Sequence, residues 1–194
     1  MLTSLCVFCG SSFGNRPAYR ATANELGRLL AERGITLVYG GGNIGLMGAV
    51  ADACLEAGGR VIGVIPQVLV DKEVAHRQLT ELHVVGSMHE RKARMADLAG
   101  GFLALPGGAG TFEEFFEILT WAQLGLHRKA CALLNVEGYY DPLLAMVDHA
   151  VAEGFVKPVH RALLLSDSHA APLLDRMSEY TVPLVDKWID RATS

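Results

Sequence analysis

Short apolar runs of strand length alternate with helix-period stretches along the whole chain. "SLCVFCG" is followed by an amphipathic stretch over 17–33, in which Pro17 suits a first helical turn. "ITLVYG" leads into "IGLMGAVADACLEAGG", whose closing Gly58 and Gly59 fit the residues just past a helix end. "RVIGVIP" stops at Pro66. A polar segment over 67–79, the run "ELHVVG", a helical stretch over 88–98 and the run "GFLALPGG" come next. A helix over 111–124, the strand "ACALLNV", a helix opening near "YYDPLL", the short run "RALLL" and further helices complete the pattern. Continuously apolar strands separated by helices predict a doubly wound parallel α/β sheet with helices on both faces. No linker, repeat or low-complexity segment interrupts it, so one domain over 1–194 is expected.

Composition narrows the classes. At 194 residues, with 51% hydrophobic and 20% charged positions, the chain has enough material for one full core. A net charge of −4 argues against a nucleic-acid partner. No stretch reaches the ~18–20 uninterrupted apolar residues of a membrane span. The start "MLTSLCVFCGSS" lacks the basic and apolar regions of a signal peptide, so a cytoplasmic protein is expected. Cys6, Cys9, Cys54 and Cys131 are too scattered for a disulfide framework. Cys6 and Cys9 form a C-x-x-C, but residues three apart on a strand face opposite sides, which predicts two core residues and no redox pair.

In open parallel sheets a ligand sits outside the carboxyl ends of the strands. Those ends carry "CGSS" (9–12), "YGGGNIG" (39–45), "IPQ" (65–67) and "LPGGAGT" (105–111), so glycine gathers on that edge. Gly40, Gly42 and Gly45 spell G-x-G-x-x-G. The next strand, however, ends Ile65-Pro66-Gln67 without the ribose-binding acid of a dinucleotide site, and the loop follows the second strand instead of the first. A Walker loop is absent from the sequence. "PGGAGT" is the stronger signal: Gly107, Gly108 and Gly110 allow φ > 0 and close approach of an anion, and the following helix offers unpaired N–H groups. The same residues also fit a capping box, Thr111 as N-cap and Glu114 at N3, and the pattern leaves both readings open. A carboxylate at this helix terminus is expected to stay ionised.

"MHERKARM" places Arg91, Lys92 and Arg94 in one helical turn, either a solvated face or, beside an anion loop, a fork for phosphate or carboxylate. The seven histidines show no paired metal spacing, so no metal site is expected. "SDSH" (166–169) lacks a nucleophile elbow and reads as a loop or helix cap. The lysines lack any recognisable Schiff-base setting.

Through "YGGGNIGLMG", "MHERK" and "PGGAGTFEE", over most of its length, the chain resembles the LONELY GUY (LOG) family of cytokinin riboside 5′-monophosphate phosphoribohydrolases, often mislabelled lysine decarboxylases. The resemblance implies a Rossmann-like fold, a homodimer, no cofactor, and hydrolysis of the N-glycosidic bond of adenosine monophosphates. It makes Arg91 and Glu114 the catalytic residues. Lys92, Gly107 and the loop of Gly108, Ala109, Gly110, Thr111 and Glu114 would contact the nucleotide, with Glu73 and Thr120 at further substrate positions and Gly10 and Ser11 as neighbours. Such a reaction develops positive charge on the ribose, which a fixed carboxylate stabilises. Whether Arg91 anchors phosphate or orients the glutamate stays open at this level.

Overall fold

The apolar runs become seven parallel strands in the computed structural model, which describes residues 2–71 and 75–181. They are β1 (Ser4–Phe8), β2 (Thr36–Tyr39), β3 (Val61–Pro66), β4 (Glu81–Val85), β5 (Gly101–Ala104), β6 (Ala130–Leu134) and β7 (Leu164–Asp167), in the order β4-β3-β2-β1-β5-β6-β7. Between them run α1 (Pro17–Glu32), α2 (Gly45–Glu56), α3 (Gln67–Val70), α4 (Met88–Leu98), α5 (Ala109–Gln123), α6 (Asp141–Ala152) and α7 (Pro158–Arg161), with α8 (Ala170–Ser178) after β7. The doubly wound α/β reading holds.

Alternation along β1 shows how the core divides. Leu5 and Val7 face one layer, packed against α1, α2 and α8; Cys6 and Phe8 face the other, packed against α4 and α5. Each strand of the centre is buried on both faces, which is why its sequence is apolar without alternation. The edge strand β4 alternates between half-buried and exposed residues. Cys6 falls in one layer and Cys9 in the other, and all four thiols are free and buried. Burial raises all four, Cys54 to about 11 and Cys131 to about 12, which leaves them unreactive at neutral pH.

One boundary differs from the pattern. "RALLL" splits between α7, which ends at Arg161, and β7, whose register on β6 pairs Cys131 with Leu164 and Leu134 with Asp167. The helix expected near "YYDPLL" opens within it, at Asp141, after Glu137 and Gly138 turn the chain at φ of 53° and 72°.

Strand order reverses between β1 and β5, the topological switch point where such sheets open a crevice. The loops leaving these two strands are tied together there. Gly10 N–H donates to the Pro106 carbonyl (3.1 Å), and Leu46 N–H at the start of α2 donates to the Gly10 carbonyl (3.1 Å).

Candidate active site

The loop after β5 decides one of the two readings of its sequence, the capping box. Helix α5 starts at Ala109, with Gly108 as N-cap and no side-chain cap, so Thr111 is the third helical residue. The Thr111–Glu114 capping box does not form. Gly107 explains why: a Cβ there would overlap Thr111 Oγ1 and crowd the Gly10 nitrogen, and its absence lets the Thr111 side chain seat inward, buried. A side-chain cap lies instead at the head of α4, where Ser87 Oγ accepts from Glu90 N–H (3.1 Å) and the Glu90 carboxylate reaches one residue past the N-cap to accept from Gly86 N–H (2.7 Å). The expectation of positive φ in the loop is also corrected, since none of Gly107, Gly108 and Gly110 has it. Their use is space. A Cβ on Gly108 or Gly110 would meet nothing within 4 Å, and both are exposed.

Freed from the cap, Glu114 meets Arg91. The Arg91 guanidinium donates through Nη1 to Glu114 Oε1 (2.6 Å) and through Nε to the Val64 carbonyl on β3 (3.1 Å). Both side chains are about nine-tenths withdrawn from solvent, 9% and 12% exposed. Gly40 makes this possible, because a Cβ at residue 40 would occupy the place of the guanidinium. Burial raises the Glu114 carboxyl above its ordinary value, with Arg91 pulling the other way. Burial thus moves the carboxyl in the direction opposite to that expected of a helix terminus, while Arg91 favours its ionised form. Lys92 bridges α4 to α5, its Nζ on Glu113 (2.6 Å) and Glu117 (3.1 Å), and the bond to Glu113 leads in holding its ammonium above the usual range.

At the switch point a cavity of about 330 Å³ opens between the loop over 10–14 and the loop over 106–108, with Gly10, Ser11, Tyr19 and Tyr139 on its walls. The N–H groups that begin α5 lie at its edge. Sequence reasoning missed Tyr139 and Tyr140, which reach back from the turn after β6 to the Gly107 and Leu105 carbonyls. No motif announces a hydroxyl aimed at a carbonyl; the turn residues Glu137 and Gly138 were the available signal.

Other expected residues fall elsewhere. Thr120 lies six residues beyond Glu114, about 120° round the helix. Its hydroxyl donates to Phe116 O (2.7 Å), and it borders an apolar groove with Met146 and Val147. Glu73 lies outside the described residues. Arg94 Nε donates to His83 (3.4 Å), away from the pair. The G-x-G-x-x-G glycines serve the chain: Gly40 admits Arg91, Gly42 bridges to Ala75, and Gly45, at φ 58°, passes over the Ser11–Ser12 backbone. "SDSH" ends β7 and turns into α8, with His169 as N-cap but no side-chain cap, and Asp167 accepting from His169 N–H (3.0 Å). His76 bonds Asp52 (2.8 Å) and His127 the Ile118 carbonyl (2.8 Å).

Residues 47–177 match the family described as "Possible lysine decarboxylase". The chain is 56% identical over 176 residues to the probable cytokinin riboside 5′-monophosphate phosphoribohydrolase LOGL9 of Oryza sativa subsp. japonica, covering 91% of this chain and 78% of that protein. It is 51% identical over 176 residues to the cytokinin riboside 5′-monophosphate phosphoribohydrolase LOG7 of Arabidopsis thaliana, covering 91% and 81%. Among solved structures, the molybdenum cofactor binding protein from Rippkaea orientalis superposes with a TM-score of 0.70 at 20% identity, over 92% of this chain and 97% of that one. At that identity the likeness shows the fold alone.

Proposed function

The chain belongs to the family of cytokinin riboside 5′-monophosphate phosphoribohydrolases, and we propose that its reaction runs on the Arg91–Glu114 pair at the switch point. It is an N-glycosyl hydrolase, releasing a free base and ribose 5-phosphate from N6-modified adenosine 5′-monophosphates. Water adds at C1′ as the C1′–N9 bond breaks; the electron pair leaves with the base, which takes up a proton. The ribose carries positive charge on the way, and Glu114, fixed by Arg91 near the start of α5, stabilises it and accepts a proton from the attacking water.

The observation that carries this reading is a carboxylate held by a buried arginine next to an anion-shaped loop. Two Arg91 donors are already committed, to Val64 and Glu114, which supports orientation of the glutamate over a free phosphate fork. The phosphate then falls to residues 107–111 and the first N–H groups of α5, with Gly10 and Ser11 opposite. Lys92, held between Glu113 and Glu117, braces α4 against α5 behind the reacting pair. Anchoring one terminal phosphate holds the ribose in register with Glu114, so its loss lowers kcat as well as raising KM.

The reading extends to the whole chain over 1–194 as a single domain, a homodimer working in the cytoplasm on a small nucleotide and no nucleic acid. Free buried thiols suit a reducing compartment. No described helix is long and apolar enough to cross a membrane. Met146 is more than half exposed beside the groove that Thr120 borders, and a second copy covering that face brings Thr120 under cover; a monomer in sedimentation would remove the dimer. The test of the reaction is base release, with EDTA present, from AMP, isopentenyladenosine monophosphate, adenosine and ATP. Free base is expected from the monophosphates and far less from nucleoside or triphosphate. Tight monophosphate binding without base release would make the chain a nucleotide-binding module instead.

A further inference from the structure

Four successive carbonyls in the loop after β5 are each held by a donor. Leu105 O accepts from Tyr140 Oη (2.7 Å), Pro106 O from Gly10 N–H (3.1 Å), Gly107 O from Tyr139 Oη, and Gly108 O from Phe112 N–H (3.1 Å). Every peptide bond described is trans, and in a planar trans peptide the C=O and the following N–H point opposite ways. Drawing the carbonyls into the protein therefore turns the next N–H groups outward. Among the described residues, those of Gly108, Ala109 and Gly110 meet no acceptor.

Two of the four donors come from one dipeptide outside the reacting pair. Its turn is built stiffly: Asn135 accepts from Tyr140 N–H (2.7 Å) and donates to Asp141 (2.7 Å), and Arg16 donates to the Glu137 carbonyl (3.3 Å). Glu137 holds φ at 53°, a conformation that persists only where the surroundings enforce it. Tyr19 packs edge-on against Tyr139 at 5.7 Å between ring centres.

The two hydroxyls do different work. Leu105 precedes a proline, so its peptide carries no N–H to present. The Gly107–Gly108 peptide has glycine on both sides, where little in the chain opposes a flip. A flipped peptide would aim the Gly107 carbonyl oxygen at the anion site and remove the Gly108 N–H from it.

We propose that Tyr139 is a positioning residue that pins the Gly107 carbonyl, so that the loop shows a phosphate monoester N–H groups only. This rests on the phosphate reading of the loop. Tyr140 stiffens the buried root of the same loop.

The test is binding of inorganic phosphate and AMP by calorimetry to the wild-type chain, Tyr139→Phe and Tyr140→Phe, with steady-state base release and unfolding midpoints alongside. Tyr139→Phe keeps its ring against Tyr19 and is expected to weaken both ligands ~10-fold, the scale of one charge-assisted hydrogen bond. KM for the monophosphate rises more than kcat falls, and the preference for monophosphate over nucleoside narrows by the same factor. Tyr140→Phe orphans a buried carbonyl, so its midpoint drops further while its phosphate affinity falls less. Wild-type phosphate affinity in a folded Tyr139→Phe, or equal losses for AMP and adenosine, overturns the role of Tyr139 and leaves the cradle standing. A wild-type chain that binds neither phosphate nor AMP overturns both.

Discussion

Two glycine-rich loops, 40–45 and 106–110, each carry a strand into a helix at the same edge of the sheet, yet they differ in whom the glycines serve. In the first, Gly40, Gly41, Gly42 and Gly45 are buried, and a Cβ on Gly40 or Gly45 would strike Arg91 or the backbone of Ser11 and Ser12. In the second, Gly108 and Gly110 are exposed and a Cβ would enter open space, with only Gly107 consumed by internal packing. The more motif-like loop is scaffolding, and the less motif-like one faces the cavity. A glycine pattern reports where backbone comes close to something; the position of the missing Cβ says whether that something is the protein or a ligand.

The sharpest way to break this contrast is at the pair the scaffolding loop protects. Glu114→Gln should keep the fold and nucleotide binding and lose ~10²-fold or more in kcat, the scale of a positioned acid–base group. Gly40→Ala should lose turnover on the same scale and lower the unfolding midpoint as well, because its methyl displaces a buried guanidinium from Glu114 and the Val64 carbonyl. Near wild-type turnover in Gly40→Ala would mean that the Arg91 geometry is dispensable.

Next in size is the contrast between Gly45 and Gly110. Gly45→Ala meets backbone at a positive φ and should cost stability on the order of 1–3 kcal/mol, read in denaturant unfolding. Gly110→Val should leave the unfolding midpoint close to wild type and weaken monophosphate binding severalfold. The opposite pattern would exchange the roles of the loops.

The smallest effect concerns pH. Burial raises the Glu114 pKa, so on acidification it takes up a proton earlier than an exposed glutamate, and the acid limb of kcat/KM should lie above the ordinary glutamate range. The same shift means that the folded state holds the proton more tightly than the unfolded one. The associated stability is present below the unfolded pKa and lost as pH rises through the folded one. Glu114→Gln should flatten that slope. An acid limb below the ordinary glutamate range would show the carboxylate solvated or ruled by Arg91 alone.

The architecture was legible because burial on both faces writes a strand as an unbroken apolar run, as in "VIGVIP" and "ACALL". The cavity edge was legible because glycine clusters follow those runs. What stayed hidden depends on contacts distant in sequence. Gly40 makes sense only through Arg91, fifty-one residues on, and the Thr111 cap failed because Gly107 offered its side chain a better seat. The raised Glu114 pKa comes from burial that spacing does not encode. Tyr139 and Tyr140 act through the direction of two hydroxyls, which sequence leaves free.

The switch point has a consequence for how the chain assembles. Residue 10 meets residue 106, so the two loops that frame the cavity come from segments that loop-closure entropy keeps apart until β5 docks beside β1. Contact order of this kind slows folding and places it late. A chain released only as far as α4 carries Arg91 without Glu114 to hold and without the α5 terminus that shapes the loop. On the proposed reading of the loop, nucleotide recognition comes into being in the same step that joins the two halves of the sheet.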